Sequence, residues 1–335
     1  MSEKTRSANI FDVARLAGVS HQTVSRVLND LPNVRPATRE RVEQAIKQLR
    51  YTPSPAARAL VTKRSRILGL IATSAASFGP ASTALHVNEA ARTARYSVLT
   101  ISMLTADAAA VQLALDSLIR QNAEGIVLIS QDRAVLDSIY GSDTGIPLIT
   151  IDPDAPDRLN SASIDQRAGA RLAVRHLVEL GHREIAHLSG PPRSPDAVER
   201  LRGWTAELMA HGLVARTPSH GDWTPASGYE FGMRFEVGDP YTAIFVANDQ
   251  MALGLMRAMD ERGLQVPRDV SVVGFDDIPE AAYLGPPLTT VRQDFARLGE
   301  LTVQRLVTAI EGEPLSEVSR IPVELIVRAS TRAVG

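Results

Sequence analysis

Apolar residues recur along the first part of the chain with the spacing of short amphipathic helices. Ile10, Val13, Ala14 and Ala17 stand at i, i+3, i+4 and i+7, one face of a 3.6-residue repeat. Asn9 precedes them as an N-cap, and Gly18 follows where a helix end calls for positive φ. Ser20 can cap a second helix starting at His21, after a connection of about three residues, the spacing of a helix-turn-helix. Val24, Val27 and Leu28 take one side of that helix. His21, Gln22, Ser25, Arg26 and Asn29 take the other, with no carboxylate before Asp30. Pro36 opens a third stripe, made of Val42, Ala45, Ile46 and Leu49. Three apolar faces can close on one another and leave the 21–29 polar face outside.

From Ile67 the pattern changes to short apolar runs alternating with helical stretches. The runs include "ILGLIA", "YSVLTISM", "EGIVLIS", "IPLITID", "EIAHLSG", "TAIFVAND", "VSVVGFDD" and "IPVELIVR". Such alternation predicts an α/β body with doubly wound parallel sheets, and its length suits two lobes better than one. Between the two patterns, "YTPSPAARALVTKRSR" holds Pro53, Pro55 and a short Ala-rich stretch with Leu60. That stretch is too short for a stable helix in water; it reads as a linker or as a segment that folds on docking. The expected divisions are 1–53, 54–66 and 67–333.

Composition narrows the function classes. The chain has no cysteine, which excludes disulfides, thiolate catalysis and Cys-ligated zinc. Its seven histidines show no HExxH pairing, so no metal or other cofactor is expected. No apolar run approaches the roughly 20 residues of a membrane span, mean hydropathy is −0.05, and the first residues lack an apolar leader core; a cytoplasmic protein is expected. Charge is unevenly shared. Through Arg66 there are thirteen Lys and Arg against five Asp and Glu, a surplus of +8 in a chain of net charge −2, leaving −10 for the rest. A basic helical module on an acidic body fits a polyanion binder with a second task. The 21–29 face then becomes a candidate reader of base edges, where Gln suits adenine and Arg suits guanine.

Several strand-like runs end in a polar residue: Asp152, Asn248 and Asp276. That edge of an open α/β sheet faces the ligand crevice. Arg200 in "VERLRGW", Trp223 in "GDW" and Phe295 in "RQDF" complete a set able to bind an uncharged polyol: carboxylates and an amide for hydroxyls, a guanidinium fork, and aromatic faces. Neither GxGxxG nor a Walker A loop occurs, which argues against a nucleotide enzyme. Paired carboxylates could serve a glycosidase, but a hydrolase has no use for the basic helical module, so no enzymatic role is expected.

The segment "DVARLAGVSHQTVSRVLN" resembles the signature of the LacI/GalR family of bacterial transcriptional regulators. "GDWTPASGYE", "FVANDQMALGLMRAM", "DVSVVGFDD" and "PPLTTVRQDFARLG" resemble one sugar-responsive member beyond what the family shares. The similarity runs from about residue 9 to residue 332. It implies a helix-turn-helix headpiece, a hinge, and a periplasmic-binding-protein-like core, with an N-lobe over about 67–164 and 296–323 and a C-lobe over about 165–295 and 324–333. By the same resemblance His21, Gln22 and Arg26 occupy base-reading positions and Leu60 the hinge leucine that wedges into the minor groove. Asp152, Arg200, Asn248 and Asp276 match hydroxyl-binding positions, Trp223 and Phe295 the aromatic walls, Ser74 a polar contact, and Gln293 a neighbour of the pocket. The matching member has Tyr at His21 and Phe at Ile164, and its loop differs at "ATSAASFGPAS". No leucine heptads precede the last residue, Gly335, so a homodimer is expected rather than a tetramer. The implied function is a repressor that binds a pseudo-palindromic operator as a dimer and is released by a small sugar, a galactoside foremost. A corepressor logic, or a sugar-binding module without DNA, is the alternative.

Overall fold

The computed structural model describes residues 8–28, 32, 34–51, 64–74, 76–104, 107–140, 144–154, 160–236, 240–316 and 320–334. The chain separates into two compact units, Met1–Arg66 and Ile67–Gly335.

The small unit holds helices α1 (Ile10–Ala17), α2 (His21–Leu28) and α3 (Pro36–Leu49). Asn9 starts α1 with a reciprocal cap: its side chain accepts from the N–H groups of Phe11 and Asp12, while Asp12 accepts the N–H of Asn9 at 3.0 Å. Gly18 ends α1 at φ 65°, and Ser20 Oγ accepts from Thr23 N–H at 3.2 Å to open α2. The apolar stripes of all three helices converge on Val13, Val24 and Val42, each fully buried. Burying a valine side chain stabilises by roughly 1.5–3 kcal/mol, so these three outweigh any single cap.

In the large unit, one parallel sheet contains β1 (Ile67–Ala72), β2 (Ser97–Ser102), β3 (Gly125–Ile129), β4 (Leu148–Ile151) and β5 (Ser161–Ala162), in the order β2-β1-β3-β4-β5. The second contains β6 (Ile185–Ser189), β7 (Ser219–His220), β8 (Ala243–Val246), β9 (Ser271–Asp276), β10 (Thr289–Arg292) and β11 (Glu324–Ile326), in the order β11-β10-β9-β8-β6-β7. Among the described residues the strand pairs are parallel as expected, save β10 with β11, which gives the second lobe an antiparallel edge. Helices α4 (Phe78–Thr93), α5 (Ala108–Arg120), α6 (Arg133–Tyr140), α7 (Gln166–Glu179), α8 (Pro195–Ala210), α9 (Pro225–Arg234), α10 (Asp249–Glu261) and α11 (Phe295–Ile310) complete the two layers.

The chain passes between the sheets three times. It leaves the first after β5, returns through α11, whose Val303 and Leu306 pack with Leu68 and Ile149, and crosses again to reach β11. Ile164 and Ile321 pair as a lone parallel bridge where two crossings lie side by side. Strand order reverses between β1 and β3 in one sheet and between β6 and β8 in the other. The carboxyl ends at these reversals are where open α/β sheets form crevices.

Candidate binding cleft and polar helix face

On α2 the side chains of His21, Gln22 and Arg26 are exposed and Ser25 is half-buried, while Val24 and Val27 are buried beneath them. The face thus offers an imidazole, a primary amide, a hydroxyl and a guanidinium from one short helix. The Phe11 ring lies 5.2 Å from the His21 ring, tilted by 45°. Asn29 and Leu60 lie outside the described residues.

In the large unit, Arg200, Trp223, Asn248, Asp276, Gln293 and Phe295 line one cleft. Topology explains the convergence. Trp223 follows β7, Asn248 follows β8, Asp276 ends β9 and Gln293 follows β10, so neighbouring carboxyl ends deliver four of the six. Trp223 and Asp276 have φ of 75° and 111°, backbone that non-glycine residues adopt at a cost of about 1–3 kcal/mol, and such strain gathers at binding sites. Trp223 packs against bare backbone: a Cβ on Gly190 would come within 2.3 Å of its ring. The opposing wall is apolar, with Phe78 edge-on to Phe295 at 5.8 Å.

The polar groups of the cleft form a closed ring of hydrogen bonds. Arg200 Nε donates to Gln166 Oε1 at 2.9 Å, Gln166 Nε2 to Gln293 Oε1 at 2.7 Å, and Gln293 Nε2 to Asp276 Oδ1 at 2.6 Å. Arg200 closes the ring through its second terminal nitrogen to Asp276 at 3.4 Å and also bonds the carbonyl of Ala247. Every member is at least nine-tenths buried, and such a network holds its groups fixed only when all are satisfied. Burial pushes the Asp276 carboxyl up to about 6, against the pull of Arg200 and Gln293. Behind it Asp249 accepts from Thr290 Oγ1 at 2.6 Å and from Ile278 N–H at 3.0 Å; burial and the charge of Asp276 hold it well above the usual carboxylate range. Asn248 both caps α10, accepting from Met251 N–H, and donates to the Trp223 carbonyl at 3.1 Å.

Asp152 does not line the cleft, contrary to its reading as a hydroxyl ligand. Its carboxylate is fully buried in a bidentate pair with Arg133, at 2.9 Å for both bonds, and accepts from Tyr140 Oη at 2.5 Å. An aspartate ending a strand finds such a partner when the next helix brings an arginine over it, and Arg133 starts α6. Ser74 is also absent from the lining. It holds a turn at φ 55°, its carbonyl accepting from Ser77 N–H, so that Ser77 and Phe78 face the cleft instead. Sequence reasoning passed over Gln166, which closes the hydrogen-bonded ring, and Asp196, which lines the cleft from the first turn of α8. Neither stands at a strand end, where a polar residue signals the crevice.

The cleft holds about 690 Å³ of unfilled space counting its mouth. Ion pairs join the lobes beside it: Arg202 to Asp154 at 2.7 Å and Arg193 to Asp132 at 3.0 Å. Solvent reaches all four side chains, so each pair contributes only about 0–1 kcal/mol.

The profile "Bacterial regulatory proteins, lacI family" matches residues 9–54, and a "Periplasmic binding protein-like domain" matches residues 174–331. The chain is 37% identical over 333 residues to the lactose operon repressor of Escherichia coli (strain K12), covering 98% of this chain and 92% of that protein. It is 33% identical over 336 residues to the HTH-type transcriptional repressor PurR of Glaesserella parasuis serovar 5 (strain SH0165), covering 97% and 98%. A crystal structure of the lac repressor dimer bound to operator and the anti-inducer ONPF matches with a TM-score of 0.89 at 36% identity, covering 98% of this chain and all of that one.

Proposed function

Because this chain belongs to the lacI family of bacterial regulatory proteins, we propose that it is a homodimeric transcriptional repressor released from operator DNA by a galactoside. Each small unit reads one half of a pseudo-palindromic site through His21, Gln22, Ser25 and Arg26, with Asn29 on the same face and Leu60 entering the minor groove between them. One headpiece contacts too few base pairs for useful specificity, which makes the dimer necessary. The effector sits in the cleft, where Arg200, Asn248, Asp276 and Gln293 bond its hydroxyls and Trp223 and Phe295 cover its apolar faces. The protein works in the cytoplasm, where operator DNA is, and carries out no chemical step.

The observation that carries this reading is the closed ring Arg200–Gln166–Gln293–Asp276 between aromatic walls. It offers fixed donors and acceptors without a phosphate-binding loop, the chemistry of a polyol site. For binding to release DNA, the sugar must favour the low-affinity arrangement of the lobes, a coupling typically of ~1–3 kcal/mol; equal affinity for both arrangements would switch nothing. The test is calorimetry against galactosides, glucosides and free sugars, paired with operator binding at each saturating sugar. A saccharide that binds and weakens operator binding supports the reading. Tightened binding would make the ligand a corepressor, and sugar affinity without any operator site would remove the DNA role.

A further inference from the structure

Among the described residues, three charged side chains line the cleft: Asp196, Arg200 and Asp276. Arg200, the one cation of the lining among the described residues, bonds Gln166 and the Ala247 carbonyl and pairs with Asp276, which offsets its charge. Asp276 has one oxygen engaged by Gln293 and Arg200. Asp196 differs from both. Among the described residues its carboxylate has no hydrogen bond and no ion pair within 4 Å, though it lies close enough to feel the charges of Arg200 and Asp152. It stands in the first turn of α8, where the exposed N–H ends of a helix favour a negative charge. The cleft therefore presents two carboxylates to a guest against one guanidinium, and the unpartnered carboxylate is an acceptor waiting for a donor.

We infer that Asp196 is a charge filter, making the cleft select uncharged or aminated saccharides and reject those bearing a phosphate or a carboxylate. The inference rests on the saccharide reading above and names the class within it. An anionic sugar would bring a like charge into a partly dehydrated space, where repulsion is stronger than in water and where the charge of Arg200 is already offset by Asp276. A hydroxyl or ammonium group instead supplies the donor that Asp196 lacks. Rejection of this kind is built from a repulsive element as much as from attractive contacts. Burial pushes the Asp196 carboxyl up, Arg200 pulls it down and the charge of Asp152 adds to the rise.

The test is calorimetry on the full chain with D-galactose and D-glucose, their 2-amino derivatives, their 6-phosphates and their uronates, for the wild type, D196N and D196S. In the wild type the anionic sugars should bind at least 100-fold more weakly than the neutral parent, and the amino sugars at least as tightly as the parent. Either substitution should narrow the neutral-to-anionic gap at least tenfold, with thermal unfolding run alongside to show which variant is folded. Anionic sugars binding within a few-fold of the neutral parent in the wild type would overturn the filter. So would a gap left unchanged in a folded variant. If no saccharide of any charge binds, the saccharide reading falls and takes the filter with it; if neutral sugars bind and the gap is absent, the filter alone falls.

Discussion

Arg200 lies face-on over Phe275, its guanidinium carbon 3.8 Å from the ring centroid, while the next residue, Asp276, receives one of its N–H groups. The planar fork is thus held from beneath by a ring and at its edge by a carboxylate. Lysine can supply charge but neither the stack nor the fork. Arg200→Lys should lose the flat stack on Phe275 and the fork that joins Gln166, the Ala247 carbonyl and Asp276. Effector affinity should fall by one to two orders of magnitude while operator affinity without effector stays as it was. Titration calorimetry and a gel-shift titration check this, and wild-type effector affinity in the variant would contradict it.

Asp276 gives a pH dependence whose sign is fixed. Burial lifts its carboxyl from 3.8 to about 6, so between those values the folded chain holds a proton that the unfolded chain has released. Stability therefore falls as pH rises through this window, by on the order of 3 kcal/mol at most. Asp249, also raised by burial, adds a slope of the same sign in any Asp276 variant. Urea unfolding of the wild type and of Asp276→Asn, at about pH 4 and about pH 7, isolates the Asp276 share as the difference between the two slopes. Identical slopes would show that the carboxyl is not held up. The same variant should no longer answer the effector yet still bind operator.

Arg26 is exposed on α2 beside buried Val27, so replacing it leaves the small core untouched. Arg26→Ala should lose ~1–3 kcal/mol at one base pair of each half-site and spare binding to unrelated DNA. Competition among single-base variants of the operator measures this. A loss of equal size on every sequence would make Arg26 a phosphate contact.

The +8 surplus through Arg66 sets a salt dependence. Each neutralised phosphate should lower log Kd-based affinity by ~0.9 for each tenfold increase in salt, so operator binding should fall steeply between low and moderate salt. Effector binding in the large unit should change far less. A flat operator dependence would leave the basic residues without a partner.

The elements that could be read in advance were those with enough residues to show a period. The helix stripes led by Val13, Val24 and Val42 and the runs that became β1, β3, β8 and β9 all meet that condition. Two-residue strands such as Ser161–Ala162 and Ser219–His220 carry no period to detect. Strand β10 was hidden by its threonines, which are buried because Thr290 bonds Asp249 and the Thr289 N–H bonds Ser330, partners 41 positions away that no local pattern reveals. "IPVELIVR" shrank to Glu324–Ile326 because Ile321 pairs with Ile164 instead. The cleft shows the same limit. A polar residue after a strand marks Asn248 and Asp276, but the rule cannot tell them from Asp152, whose fate is decided by where Arg133 falls.

Gly190 has no side chain, and the indole of Trp223 rests in the place one would fill. A single methyl there would drive the ring out of its seat and into the cleft. The gauge of the receptor is thus set on one side by a missing carbon, which can be added but not taken away. Accommodation of bulkier effectors is left to the far wall, where Ile164 and Phe78 can be trimmed without disturbing the hydrogen-bonded ring.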